Sequence, residues 1–329
     1  MKKLILVIMV ISICMVSIVP AHSAVKKLAQ TGIHLLKIDM SARAAAMGSS
    51  YMMVGNSADA LFYNPAGITR SQSRYTVFVN QTPWIADISY NAAALLVDLG
   101  NIGTFGATLI TADYGDFHGA VVDAGDPKGF SDTGMLDVGA YTFGIGYARD
   151  LTNKFTIGGH VKYVNQHLGS SILDSGENVE NKVSGIAFDI GTIFYPGYKS
   201  LRIGMAIRNF SKQYEYQEEP FELPLTFTLG AAMDVLDLMG EEHENAFIVS
   251  VDAVHPRDFT ERIHIGGEFL FMDLLAIRAG YKSNYDEENL TLGAGIQYSL
   301  SGVNVNIDYS YSAMEIFDAV NRFSISLGF

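Results

Sequence analysis

The chain has 329 residues and a net charge of -13, so it carries no basic footprint for nucleic acid. It is 49% hydrophobic with a mean hydropathy of +0.19, too apolar for an ordinary soluble domain and too polar for a bundle of membrane helices. Thirty-two glycines and 11% aromatic residues point to β structure with many tight turns.

The first segment reads as an export signal. Lys2 and Lys3 precede an apolar run from Leu4 to Val19, and Ala21-His22-Ser23 puts small residues at both cleavage positions. This predicts a signal peptide over residues 1–23, cleaved after Ser23, with Ala24 as the next best position. The only cysteine, Cys14, lies inside it, preceded by Ile13 rather than the small residue of a lipoprotein signal. Loss of Lys2 and Lys3 takes the net charge from -13 to -15 and leaves a cysteine-free chain, without disulfide or thiolate chemistry. No later apolar run is long enough for a transmembrane helix, which needs about 18 residues.

Residues 24–73 are expected to form an N-terminal plug segment. Val25 to Lys37 is an amphipathic lead-in. Ala42 to Met47 predicts a helical turn stopped by Gly48. Asn56 or Ser57 is placed to cap a second short helix, Ala58 to Tyr63, which must end near Pro65. Helices this short are marginal alone and need walls around them.

Residues 74–329 supply the walls. Period-two alternation appears in about fourteen segments, near 75–83, 88–98, 103–114, 136–148, 155–167, 182–194, 201–210, 223–236, 245–255, 262–271, 274–283, 289–300, 303–313 and 321–329. In the clearest, Val303, Val305, Ile307, Tyr309 and Tyr311 share one face while Asn304, Asn306, Asp308 and Ser310 share the other. Most segments have the length that crosses a bilayer at a tilt. The odd-to-even connections include the long polar 115–135, 168–181 and 211–222, whereas the even-to-odd ones are short apart from 237–244. That asymmetry, the alternating Phe323, Ile325, Leu327 and Phe329 at the end, and Tyr75, Tyr114, Tyr147, Tyr163, Tyr195, Tyr281, Tyr298 and Tyr311 near strand ends all favour a membrane barrel over a sandwich. The expected fold is all-β: a transmembrane antiparallel β-barrel of about 14 strands with a short N-terminal helical plug.

Three pieces of the plug, Leu36-Lys37-Ile38, Ser41-Ala-Arg-Ala-Ala-Ala-Met-Gly48 and Asp59-Ala-Leu-Phe-Tyr-Asn-Pro-Ala-Gly-Ile68, resemble the N-terminal signature of PorV/PorQ-type outer-membrane proteins. These group with the FadL-type fatty-acid transporters, which are plugged fourteen-stranded barrels. The chain departs from the pattern at Ser49-Ser50 and at Asn56-Ser57. The resemblance implies the outer membrane of a Gram-negative bacterium, with outer-membrane lipids around the barrel. It implies two functions. The first is binding or passage of a hydrophobic or amphipathic small molecule, with loop contacts at Gly119 to Val122, Phe130, Ile172-Leu173 and Phe221. The second is a docking component for protein secretion of the type IX kind, working through its outer loops without transport.

The candidate plug and gating residues are Arg43, Gly48, Asn64, Pro65, Ala66 and Gly67. Lumen-facing positions carry His160, Lys162, Asp189, Arg202, Arg208, Asp234, Asp252, Arg262, His264, Glu268, Arg278, Lys282, Asp308 and Arg322. The plainer reading is a compensating network that fixes the plug, since buried charges must be paired. The sharper one is a lining that contacts ligand or ions. Arg43 reads plainly as a partner for wall carboxylates and more sharply as a contact for an anionic head group. Glycines at the lumen-facing positions 204, 230, 266, 280, 293 and 295 leave room for a packed plug. The loop from Asp123 to Gly129 lacks the acidic residue that ends a calcium loop, and the acidic turn from Glu241 to Glu244 reads as solvated. No metal, cofactor or catalytic motif is expected.

Overall fold

The computed structural model describes residues 31–172, 177–217, 219–240 and 244–329. The expected signal segment lies outside them, as do residues 25–30 of the lead-in, Leu173 and most of the acidic turn at 241–244. Fourteen strands form the wall: β1 (Tyr75–Pro83), β2 (Ser89–Asp98), β3 (Thr104–Asp113), β4 (Val138–Thr152), β5 (Phe155–Ile172), β6 (Asn178–Phe194), β7 (Arg202–Phe210), β8 (Thr226–Asp234), β9 (Ala246–Pro256), β10 (Arg262–Phe271), β11 (Leu275–Lys282), β12 (Glu288–Leu300), β13 (Val303–Met314) and β14 (Val320–Gly328). Each pairs antiparallel with its sequence neighbour, and β14 closes on β1 from Thr76↔Gly328 to Gln81↔Phe323. Closure leaves no free edge within the bilayer, where an unpaired backbone group would cost several kcal/mol.

Alternation sets the two faces. On β14 the side chains of Phe323 and Ile325 face outward, while Arg322, Ser324 and Ser326 are buried inside. On β13 Ile307, Tyr309 and Tyr311 face outward against buried Asp308, Ser310 and Ser312. Tyr75, Tyr147, Tyr163, Tyr281, Tyr298 and Tyr311 are exposed on the outer surface as expected of interfacial girdles. Tyr114 and Tyr195 differ: both pack on buried clusters at the ends of the lumen.

The connections fall on two sides. On the side of Tyr75 and Phe329 they are short apart from 235–245 between β8 and β9, and Ser301–Gly302 is a two-residue turn with both φ angles positive (51° and 87°). The opposite side carries the long loops. There β5 and β6 run on together to Ile172↔Asn178, well beyond the expected ends of these strands, because each supplies the other's hydrogen bonds above the rim. The polar 115–135 connection folds into a second hairpin, Phe117–Val122 against Phe130–Leu136.

The plug runs down the lumen from the long-loop side to the short-turn side. At its outer end Gly32 N–H donates to Glu222 O at 3.0 Å, and Thr31 Oγ1 and Lys37 Nζ both bond Asp258 in the β9–β10 loop. At its inner end Thr69 Oγ1 meets Asp150 at 3.2 Å and Ser57 Oγ meets Ser326 Oγ at 3.0 Å. The helix α1 (Ala42–Ala46) forms as expected, with Ser41 Oγ accepting Ala44 N–H and Gly48 at φ 61° just beyond. Ala58–Phe62 is instead a 3-10 turn without a side-chain cap, since the Ser57 hydroxyl that could cap it is bonded to the wall. Barrel and plug share their core. Met47, Tyr51, Met53, Leu61 and Ile68 are fully buried between them.

Candidate functional site

The wall receives α1 on a floor of glycines. A Cβ on Gly266 would sit 2.5 Å from Met47 O, one on Gly280 would overlap the Gly48 backbone, and one on Gly293 would overlap the Ala46 methyl. Only residues without side chains on one surface, and alanines on the other, permit this approach. Further along, Gly230 and Gly204 take the side chains of Met52 and Met53.

Beside this floor, charges form a chain. Arg43 donates Nε and Nη2 to the two oxygens of Glu268 at 2.8 and 2.6 Å, and Nη1 to Asn56 Oδ1 at 2.7 Å. Arg278 gives Nε to the same Glu268 at 2.5 Å and Nη1 to Asp308 at 2.7 Å. Four expected residues, Arg43, Glu268, Arg278 and Asp308, thus meet in one buried relay of alternating sign. It corresponds to the plainer reading of the lumen charges. The Glu268 carboxylate holds the Arg43 guanidinium more firmly protonated than usual, although burial alone acts the other way.

The turn Asn64 to Gly67 is built in the same manner. Asn64 Oδ1 accepts Ala66 N–H at 3.0 Å, and Nδ2 donates to Thr192 O at 3.2 Å. Pro65 and Ala66 press on Gly158, and Gly67 on the Gly55 carbonyl. Asn64→Ala should therefore cost about 1–2 kcal/mol, a cap plus a buried donor, read as a lower unfolding midpoint in detergent.

His160, Lys162 and Asp189 form a second cluster. His160 Nδ1 lies 3.2 Å from Asp189 Oδ2 and Nε2 lies 3.0 Å from Thr108 Oγ1, while Lys162 Nζ donates to Asp189 at 2.8 Å and to Asn209 Oδ1 at 2.5 Å. The order Thr–His–Asp has the connectivity of a nucleophile relay. Thr108 is nevertheless buried, and the adjoining cavity is about 20 Å³, room for one water. The cluster also mends the wall, since Asp189 Oδ1 accepts the N–H of Asn209 where the β6–β7 ladder breaks.

Arg202 meets no carboxylate among the described residues. Its Nε donates to Met53 O at 2.5 Å, a carbonyl shared with Arg70 Nη1 at 2.9 Å. Asp234 leaves the lumen and caps the β8–β9 turn, accepting Leu236 N–H at 3.0 Å. Asp252 accepts Met52 N–H at 3.1 Å.

Several partners carried no sequence signal. Asp39 and Glu288 both accept from Lys282, at 2.9 and 2.7 Å, and Arg322 reaches Glu288 at 3.5 Å. The positive charges of Lys282 and Arg322 hold the Asp39 carboxyl well below its usual range against its burial, which acts upward. Asp59 accepts from Ser41 Oγ at 2.7 Å and Tyr51 OH at 2.9 Å, and burial raises its carboxyl above the usual range.

Arg208, Arg262 and His264 face a cavity of about 230 Å³ under the outer loops, between the plug segment Leu36 to Asp39 and the outer ends of β8–β12. His264 Nε2 is 3.0 Å from Tyr285 OH. Of the loop residues expected to touch a ligand, Leu173 lies outside the described residues and the others lie apart from this cavity. Val122 is 93% exposed on the outer hairpin, and Phe221 packs over Gly32 and stacks on Tyr216.

A family model described as type IX secretion system protein PorV matches residues 21–253. Among solved structures, the toluene transporter TodX of Pseudomonas putida aligns with TM-score 0.57 and 13% identity, over 92% of this chain and 98% of that one. The CymD monoaromatic hydrocarbon channel aligns at 0.56 and 11%, over 90% and 97%, and a FadL homologue of Pseudomonas aeruginosa at 0.52 and 12%, over 86% and 96%. At these identities the likeness is one of fold. No curated protein matches.

Proposed function

The chain belongs to the PorV family, as a plugged β-barrel of the Gram-negative outer membrane, and from that membership we propose that it serves protein secretion of the type IX kind as a docking component rather than a conduit. The plug runs through the lumen from the outer loops to the inner rim and leaves a cavity of about 230 Å³ beneath the loops, so the surface open to a partner protein faces outward. The observation that carries this reading is the outer hairpin at 117–136. It stands off the barrel with Phe117, Val122, Phe130 and Met135 at 47–93% exposure, apolar surface that a partner protein would cover. Export by a signal cleaved after Ser23, a division into plug (24–73) and barrel (74–329), and the absence of catalysis belong to the same proposal. So does a gating role for the Arg43, Gly48 and Asn64 to Gly67 positions, held by the contacts above.

A second reading, passage of a hydrophobic or amphipathic small molecule, is favoured by the apolar residues Leu36, Ile38, Trp84 and Ile88, which gather partly buried beneath the loops. One experiment separates the two. Residues 118–135 are replaced by a short Gly-Ser linker, which spares the β3–β4 pairing of 104–113 with 139–148. Export of type IX cargo into the medium should then fall about tenfold or more, the loss expected on removing an interface contact worth about 1.4 kcal/mol. Unchanged export, with uptake of an apolar solute lost on deleting the gene, would turn the assignment to transport.

A further inference from the structure

The cavity under the outer loops has an uneven charge account. Five cationic side chains and four carboxylates line it. Lys37 is bound to Asp258, Lys282 to Asp39 and Glu288, and Arg322 to Glu288. The fourth carboxylate, Asp252, is 1% exposed and turned to the plug backbone at Met52. Arg208 and Arg262 remain. Arg208 donates one Nη to Phe62 O at 2.8 Å and lies over the Tyr63 ring. The Arg262 side chain makes no hydrogen bond among the described residues, and its Nε is buried without a partner. Its guanidinium is held between the rings of Phe259 and Tyr285, 4.2 and 3.8 Å from their centroids.

We propose that this cavity binds a small soluble oxyanion, a carboxylate or phosphate on a compact body, through Arg208 and Arg262. A guanidinium held against two aromatic rings has its orientation restricted, and its Nη groups stay available for an acceptor while Nε is buried. Carboxylate and phosphate match that fork in two parallel hydrogen bonds. Arg262, partly desolvated and paired with no carboxylate, costs free energy, and an anion in the cavity lined by both arginines offsets it. The volume of about 230 Å³ exceeds the roughly 150 Å³ that admits benzene, so a benzoate-sized body fits. The charged lining disfavours a long acyl chain. The site is separate from the outer hairpin, so it stands or falls independently of the docking role.

The test is calorimetric titration of the full-length protein in a zwitterionic detergent with sodium benzoate and with inorganic phosphate, alongside short-chain phosphatidylglycerol. At least one free anion should bind and raise the melting temperature. R262Q should weaken it about tenfold, the value of one lost charge-assisted contact, with each ligand-induced melting shift read against the variant's own ligand-free value, because loss of the ring contacts with Phe259 and Tyr285 moves that baseline. R262K should recover only part of the affinity, and the R208Q/R262Q pair should abolish it. Binding of neither free anion, binding to the lipid alone, or equal binding by R262Q would each overturn the proposal.

Discussion

Replacing Glu268 with alanine should destabilise the barrel by about 3–5 kcal/mol, the cost of removing one partner from a buried ion pair. Glu268 is 1% exposed and accepts from two arginines, one on the plug and one on the wall. Its loss strands both guanidinium groups. Arg278 retains Asp308 and Arg43 retains Asn56, so the cost should stay within that range and not double it. Guanidinium-induced unfolding in detergent, followed by intrinsic fluorescence, reads the difference. His118 is the control. It faces Asp132 at 3.6 Å with both side chains over 60% exposed, and alanine there should change stability by less than about 0.5 kcal/mol. If E268A melts like the wild type, the relay does not hold the plug.

The wall was legible in the sequence because its physics is local. Side chains alternate with period two, and the alternation of Val303 to Tyr311 or of Phe323 to Phe329 reports a two-sided environment without any knowledge of neighbours. Glycine at lumen-facing positions was legible too, since a missing side chain on an inward face signals something packed against it. Partner choice was not. Lys282 bonds Asp39, 243 residues away, and nothing local distinguishes Asp39 from Asp234, which turned out to cap a turn. The hairpin at 117–136 was missed for a related reason. It has no buried face, so its strands carry no apolar alternation, and glycines at 119, 125, 129 and 134 give it the composition of a loop. The 3-10 turn at Ala58–Phe62 shows tertiary contact overriding a local signal, because the hydroxyl that could cap a helix is claimed by Ser326.

Gly280→Val should dislodge the plug and open the lumen to ions. The space a side chain at 280 would need is filled by the backbone of Met47 and Gly48, which cannot swing away as a flexible side chain could. Overpacking a well-filled core usually costs about 1–3 kcal/mol. Here the relief available is withdrawal of α1, held on that side by Arg43–Glu268 and by Thr291 Oγ1 donating to Ala46 O at 3.1 Å. Single-channel recording in planar bilayers should show a closed wild type and an open, noisy G280V, with G266V behaving alike because Met47 O sits where its Cβ would go. Gly267 supplies the contrast one residue along the same strand. It faces the lipid, its nearest neighbour would be the Phe247 ring at 3.5 Å, and G267V should stay closed. A closed G280V with normal stability would mean that the plug yields without leaving, and the seal would then have to lie elsewhere in the lumen, at the Asn64 turn or at the Asp39–Lys282–Glu288 cluster. Open channels in G267V as well would show a wall that leaks on any insertion, and the glycine floor would lose its role in sealing.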